Sequence, residues 1–273
     1  MARRALLIGI NEYRTINNLR GCGNDVFNVS GLLREQAGFQ SSEIRALAHD
    51  RATKRNIEER IGWLVNDARR GDVLVLHFSG HGTQVRDRNG SELNDSLDEV
   101  LCPYDMDWDG TFISDDYLRD KLQVPDGVVL EVILDACHSG QGSTQVSFSG
   151  SGVNVSDPDR QPRFIEPPVD ILVRNAGQRL PVKRLFRSPS VRSHVVLWSA
   201  CAEFQTAADA RINGVFNGVF TFYFCEHLRQ SGGALSRAEL LSRVQTSLAQ
   251  AGYSQIPELS AVDALQSART FSL

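Results

Sequence analysis

Val73-Leu74-Val75-Leu76-His77-Phe78-Ser79-Gly80-His81-Gly82 is a strand-length apolar run that stops at a turn of small residues carrying a histidine. A second run of the same kind, Val128 to Leu134, ends in Asp135-Ala136-Cys137-His138-Ser139-Gly140. Continuous β-branched-rich runs without polar alternation are the signature of strands buried on both faces of a parallel sheet. In open α/β sheets the reactive groups collect outside the carboxyl ends of the strands. If the two strands are neighbours, His81 and Cys137 meet at one rim, and the pair reads as nucleophile and base.

Working outward, Arg4 to Ile10 is another buried strand, followed by a polar loop over 11–23. Asn24 and Asp25 have the chemistry to cap a helix running through Val26, Val29, Leu32 and Leu33, which Gly38 stops. Ile44 to Leu47 is a short strand; Asp50 and Thr53 precede a helix with Ile57, Ile61, Leu64 and Val65 at helical spacing. The β-α-β-α-β order to this point favours a mostly parallel sheet covered by helices. Thr83 to Asp116 is expected to be a long polar loop, and Tyr117 to Leu122 a short helix. Residues 141–193 are rich in Ser, Pro, Gly and Arg (among them Arg160, Arg163, Arg174, Arg179, Arg184, Arg187 and Arg192, with Lys183) and read as a linker or long insert. Order returns at His194 to Trp198, a strand, then a loop over 199–218, a helix over 220–228, and a second whose capping box is Ser236-Arg237-Ala238-Glu239. Pro257 to Leu259 supplies a final edge strand.

Composition narrows the function. A chain of 273 residues with formal charge −4 is an ordinary globular one, with no electrostatic reason to bind nucleic acid or an anionic membrane. No run approaches the length of a membrane span, and the apolar run Ala5 to Ile10 is too short for a signal-peptide core. Cys22, Cys102, Cys137, Cys201 and Cys225 show neither a disulfide framework nor a Cys-x-x-Cys pair, so the expected location is a reducing cytoplasm.

A thiolate is the nucleophilic form of cysteine, and a free thiol of pKa about 8.5 is little ionised at neutral pH, so Cys137 needs a neighbouring base. An imidazole supplies one and later protonates the leaving amine. Gly80 and Gly82 let backbone approach a substrate carbonyl, and the amides of Gly82 and Cys137 are candidate oxyanion donors. Asp135, two residues before Cys137 on a strand, shares its face.

Together, His77-Phe78-Ser79-Gly80-His81-Gly82 and Asp135-Ala136-Cys137-His138-Ser139-Gly140 resemble the His-Gly and Asp-x-Cys-His-Ser-Gly motifs of metacaspases and their bacterial relatives in the caspase family. His81 precedes Cys137 by 56 positions, close to the caspase spacing of about 50. Leu6-Leu7-Ile8-Gly9-Ile10-Asn11 and Leu19-Arg20-Gly21-Cys22-Gly23-Asn24-Asp25 resemble the family's opening, and Ser199 to Asp209 with Gly218-Val219-Phe220-Thr221 resemble its small-subunit half. The resemblance implies a caspase-like three-layer α/β/α sandwich with a mostly parallel central sheet. It implies one catalytic domain over 1–273, with a large-subunit-like half over 1–142, the insert over 143–193 and a small-subunit-like half over 194–273. The implied activity is a cysteine endopeptidase with a His81–Cys137 dyad, cutting peptides or proteins after Arg or Lys. Asp25 and Asp135 would hold the cation, which suits a bidentate guanidinium site, with Cys22 and Ser79 lining the same pocket.

Other readings compete. The fold could serve as a non-catalytic interaction module, or Cys137 could transfer acyl groups to another acceptor. His77 reads as a satisfied core residue, His138 as structural, and Cys102, Cys201 and Cys225 as inert small hydrophobes. A zinc site of His81, Cys137 and His138 has no familiar ligand spacing. The chemistry requires no cofactor. The loop Asp105-Met106-Asp107-Trp108-Asp109-Gly110 imitates the start of a calcium loop, with Asp116 at the twelfth position, but Pro103 stands where the entering helix of an EF-hand is needed. By resemblance to calcium-dependent metacaspases the ligands would be Asp98, Asp115 and Asp116, while a further Asp of that set is replaced by Thr144. The Arg-rich insert is either a solvated excursion or a strip placed to be cut or to block the cleft. Nothing in the sequence decides the oligomeric state.

Overall fold

Alternation of the strand side chains over two cores organises the protein, seen in a computed structural model that describes residues 1–86, 97–137, 157–171, 194–202 and 205–272. The side chains of Arg86, Leu97 and Asp98 lie outside that description. The six-stranded central sheet has the order β12-β9-β7-β3-β1-β2, from strands β1 (Arg3–Gly9), β2 (Ile44–Ala48), β3 (Val73–Ser79), β7 (Val129–Asp135), β9 (Val195–Ser199) and β12 (Glu258–Ser260). All pairings are parallel except β12 with β9, at the edge. The two strands quoted at the outset, β3 and β7, are neighbours in parallel register from Val73↔Val129 to Ser79↔Asp135.

Every residue of β3 and β7 is buried. Ala5, Leu7, Val75, Ile133, Val196 and Trp198 belong to one core, whereas Leu6, Ile8, Leu76, Val132, Leu134 and Leu197 belong to the other. The first core is closed by helices α1 (Cys22–Gln36), α4 (Val219–Gln230), α5 (Arg237–Gln250) and α6 (Asp263–Ser267). The second is closed by α2 (Lys54–Val65) and α3 (Asp115–Lys121). This is the three-layer α/β/α sandwich expected. Each large apolar side chain so buried stabilises the fold by about 1.5–3 kcal/mol.

The period-two rule also places polar groups. On the α1/α4/α5 side of β7, Glu131 sits between Val129 and Ile133, and Asp135 follows; on β3 the same side presents His77 and Ser79. Glu131 and Arg237 of α5 are both fully buried and joined at 2.6 Å. The Glu131 carboxylate also accepts from Trp198 Nε1 at 2.8 Å and from the Phe271 amide at 2.7 Å. The ion pair thus ties the C-terminal segment to the middle of the sheet.

Three expectations are corrected. The stretch 83–116 is not all loop: β4 (Gly82–Arg86), β5 (Leu97–Leu101) and β6 (Ile113–Ser114) form a small antiparallel sheet, because Val85, Val100, Leu101 and Ile113 are buried beside the main core. The stretch 199–218 contains the antiparallel pair β10 (Ala208–Ile212) and β11 (Val215–Gly218), and Arg160–Pro162 of the insert joins it as β8. Asn24 and Asp25 lie inside α1 and do not cap it. Asn11 Oδ1, from the preceding loop, accepts the Cys22 amide at 2.7 Å, so the orphan N–H groups of the helix start are met from outside it. The Ser236–Glu239 capping box on α5 forms as expected.

Candidate active site

At the carboxyl ends of β3 and β7 the chain turns sharply, and the turn residues approach each other. A Cβ on Gly82 would strike the Cys137 carbonyl oxygen, so only glycine permits this contact. His81 is nearly fully buried. Its amide donates to Tyr13 Oη at 2.7 Å, and its Nε2 lies 2.9 Å from the Asn17 carbonyl. A carbonyl can only accept, so Nε2 carries the proton and Nδ1 is the basic nitrogen. Nδ1 is buried without a hydrogen-bond partner. Burial lowers the His81 pKa to about 4, against an opposing pull from the Asn17 and Arg163 carbonyls. The imidazole is therefore neutral at pH 7.

Cys137 is completely buried, and its sulfur rests on the peptide of Ala207: it accepts the Ala207 N–H at 2.7 Å and donates toward the Ala207 carbonyl at 3.4 Å. Cys201 is half-buried, and its thiol is raised well above the ordinary range, first by a hydrogen bond with Cys137 and then by burial. Cys102 and Cys225 are buried among apolar side chains.

Asp25 and Asp135 converge with Ser79 on one fully buried pocket, and the guanidinium of Arg163 fills it. Its Nη2 lies 2.7 Å from Asp25 Oδ2 and 3.3 Å from Asp209 Oδ1; its Nη1 lies 3.1 Å from Asp135 Oδ1 and donates to Ser79 Oγ at 2.8 Å and to the Asp135 carbonyl at 2.9 Å. Ser79 Oγ in turn donates to Asp25 Oδ2 at 2.7 Å. The Gly218 amide donates to both oxygens of Asp25, and Thr221 donates its hydroxyl and amide to Asp135 Oδ2. A Cβ on Gly218 would run into the Asp135 carboxylate and the Arg163 guanidinium. Burial pushes Asp25 up to about 6, with Arg163 pulling it down and Asp135 pushing it up. Cys22 adjoins the same group: burial raises its thiol, while Arg163 and a hydrogen bond with Ser79 lower it.

His77 sits behind the pocket. Thr221 spends its one hydroxyl proton on Asp135, so at 3.4 Å His77 Nε2 must be the donor to Thr221 Oγ1. Burial lowers the His77 pKa to about 3.

Sequence reasoning missed Tyr13, Asn17, Ala207 and Asp209. Asp209 closes the segment that resembled the small-subunit half, but only the β10–β11 pair turns it inward. Its second oxygen accepts the Arg20 amide at 2.6 Å and the Gly21 amide at 3.2 Å, bracing the start of α1.

The candidate calcium residues are placed differently. Asp115 and Asp116 open α3, where both pair with Arg119, at 3.7 Å for Asp115. The Asp98 side chain, His138, Ser139, Gly140 and Thr144 lie outside the described residues. In the loop before α3, Asp105 accepts the Lys54 amide at the start of α2, and Asp107 accepts from Asp109 and Thr111. Among the described residues no group of three or more His, Cys, Asp or Glu side chains is arranged to hold a metal.

A family model described as a caspase domain matches residues 2–268. Metacaspase-1 of Schizosaccharomyces pombe is 32% identical over 94% of this chain and 67% of its own length. Metacaspase-1 of Coccidioides immitis is 32% identical over 94% of this chain and 61% of its own, and metacaspase-1A of Aspergillus clavatus 33% over 94% and 66%. The chain thus spans roughly two thirds of the length of these relatives. A Geobacter sulfurreducens protein of known structure superposes with TM-score 0.71 at 20% identity, over 100% of this chain and 99% of that one. Caspase-1 of Spodoptera frugiperda superposes with TM-score 0.57 at 15% identity, over 95% and 86%. In sequence and in fold alike, this chain belongs to the caspase-domain family of cysteine peptidases, with metacaspases among its relatives.

Proposed function

We propose that the chain is a metacaspase-type endopeptidase, one catalytic domain that hydrolyses peptide bonds after Arg or Lys, with Cys137 as nucleophile and His81 as the proton carrier. The observation that carries this reading is a guanidinium held by Asp25, Ser79, Asp135 and Asp209 while the carbonyl of the same residue accepts the Gly82 amide at 3.0 Å. A site that seats a cation and polarises the adjacent carbonyl is a specificity pocket joined to an oxyanion hole.

The chemistry follows from the protonation states. His81 Nδ1 takes the thiol proton of Cys137, and the sulfur attacks the carbonyl carbon. The oxyanion moves onto the Gly82 amide, with the Cys137 amide as second donor. The Nδ1 proton passes to the leaving amine, and a thioester remains. Water, deprotonated by the same nitrogen, releases the carboxylate and restores the thiol. No step needs a cofactor. The substrate is a peptide or protein. Among the described residues no helix is long and apolar enough to cross a membrane. The proposed location, a reducing cytoplasm, rests on the five cysteines, which are free thiols.

Fluorogenic peptides with Arg, Lys or Asp before the scissile bond test the reading. Turnover of the Arg and Lys peptides alone is expected, abolished by Cys137→Ala. Exclusive turnover of Asp peptides would overturn the pocket assignment, and turnover of none would favour a non-catalytic module. Release of the acyl group onto an added amine in preference to water would favour an acyl transferase. Calcium at Asp98, Asp115 and Asp116 belongs to this reading on resemblance alone. Calorimetric titration with calcium, paired with the peptide assay in chelator, decides it; absence of heat with unchanged turnover removes the cation.

A further inference from the structure

His81 stands on a turn two residues past the end of β3, and a turn alone does not fix an imidazole. The hold comes from the loop between β1 and α1. Tyr13 Oη accepts the His81 amide at 2.7 Å, and the Tyr13 ring lies against the imidazole with centroids 5.1 Å apart and planes tilted by 44°. Four residues on, the Asn17 carbonyl accepts from Nε2 at 2.9 Å. The neighbouring peptides of the turn are tied elsewhere, the Gly80 amide to the Asp135 carbonyl at 3.3 Å and the His81 carbonyl to the Cys102 amide at 3.0 Å. The peptide joining Gly80 to His81 is held through its N–H by Tyr13. Both Tyr13 and His81 are buried, so an amide deprived of that hydroxyl must turn to find another acceptor. The loop that carries Tyr13 is itself pinned. The Tyr13 amide donates to Asn18 Oδ1 at 2.9 Å, the Arg14 amide to the Tyr104 carbonyl at 3.0 Å, Thr15 Oγ1 to the Met106 carbonyl at 2.6 Å, and the Leu19 amide to the Asn11 carbonyl at 2.8 Å. Glycine at 80 makes the room, since a Cβ there would lie 2.7 Å from Tyr13 Oη.

We propose that Tyr13 is a positioning residue of the reaction: its hydroxyl and ring together hold His81 in the orientation in which Nε2 is spent on Asn17 and Nδ1 is left as the base. The inference rests on the peptidase reading above and deepens it by naming the side chain that sets the geometry of the proton carrier. Tyr13 touches neither substrate nor sulfur in this role; it acts through the imidazole. Nδ1 is buried without a hydrogen-bond partner, so nothing on that side of the ring restores its orientation once Tyr13 is gone. A displacement of about 1 Å in a reacting group costs about 10²-fold in rate, which sets the scale of the expected effect.

A buried tyrosine also supports the fold, so the test separates positioning from folding. Tyr13→Phe keeps the ring and loses the hydroxyl, Tyr13→Ala loses both, and Gly80→Ala drives the hydroxyl from its place. Hydrolysis of a fluorogenic Arg peptide by the full chain is measured per active site, counted by titration with an Arg-directed chloromethyl ketone that alkylates the thiol. A kcat lower by about tenfold in Tyr13→Phe and by about 10²-fold in Tyr13→Ala is expected, with KM within about twofold of wild type. Gly80→Ala is expected to cost about tenfold alone and little more when added to Tyr13→Phe, because the oxygen it strikes is then absent. A loss of folded protein alone would lower the count of sites and leave kcat per site unchanged; that result in Tyr13→Phe would overturn the proposal, as would losses that simply multiply in the double variant. A second readout needs no turnover. Nitrogen NMR of histidine-labelled Cys137→Ala protein, with His81 assigned by its absence in His81→Gln, is expected to show the Nε2–H tautomer, and exchange between both tautomers once Tyr13→Phe or Tyr13→Ala is added. An unaltered tautomer in both would overturn the proposal whatever the kinetics. Wild type that turns over no peptide would remove the peptidase reading, and the tautomer would then decide by itself whether Tyr13 holds the imidazole.

Discussion

Asp25, Asp135 and Asp209 are three carboxylates in one fully buried pocket, and one guanidinium serves them all. Taking away one partner of a buried hydrogen-bonded charge pair costs about 2–5 kcal/mol. Asp135→Asn is therefore expected to weaken kcat/KM for Arg peptides by that amount, chiefly through KM, in steady-state assays. Asp209→Asn is expected to act in the same direction and less strongly, since Asp209 stands farther from the guanidinium and is partly spent on the Arg20 and Gly21 amides. An equal loss on Arg and uncharged peptides would show that these side chains act on folding and not on cation selection. His81→Gln removes the proposed proton carrier and is expected to lower kcat by about 10²–10⁴-fold with little change in KM.

At the scale of elements, β3 and the turn after it carry two histidines held neutral by burial. His77 ionises at about 3 and His81 at about 4, each below the ordinary 6.5. The unfolded chain binds protons at these groups that the folded chain does not, so stability is full above pH 6.5 and lost as pH falls below it. Each group contributes a slope of about 1.4 kcal/mol per pH unit inside its window. Asp25, raised from 3.8 to about 6, works the other way: its contribution is present below pH 3.8 and lost as pH rises through 6. Urea unfolding is accordingly expected to show stability rising with pH between about 4 and 6.5, and His77→Gln to flatten that rise. An unchanged slope in His77→Gln would mean that the ring is not the source. Strand β7 makes a second prediction. Arg237→Leu leaves Glu131 charged and buried without its cation, for an expected loss of about 3–5 kcal/mol, read as a shift of the urea midpoint. Removing the stranded charge, with Glu131→Gln added to Arg237→Leu, is expected to recover part of that loss.

For the molecule as a whole, the central sheet is assembled from both halves of the chain. β7 precedes Arg163 in sequence and β9 lies beyond it, yet the two pair in parallel from Leu130↔Val195 to Leu134↔Ser199. Helix α4, from the later part, packs in the same core as α1 from the earlier part. A protease cut in the connection between β7 and β9 therefore severs the chain without dividing a hydrophobic core. The two fragments are expected to co-elute in gel filtration under native conditions and to separate only in denaturant. Separation in native buffer would show that the later strands are held by the connection and not by the sheet.

Taken by themselves, the residues of β1, β3, β7 and β9 determined a buried parallel sheet, because unbroken apolar runs have no stable place except between two covering layers. They also determined which turn residues bring a thiol and an imidazole to one rim, because neighbouring parallel strands end on the same side of the sheet and their turns begin there. The antiparallel pieces β4 to β6 and β8, β10 and β11 were not legible: their strands are short, polar on one side, and acquire partners only through contacts distant in sequence. For the same reason Asn11 rather than Asn24 caps α1, Asp209 joins Asp25 and Asp135, and Arg163, one basic residue among many in a stretch that reads as linker, becomes the cation in the pocket. Local periodicity records what a residue is buried against in its own element, whereas a buried charge is placed by partners tens to well over a hundred positions away, and only the folded chain brings those together.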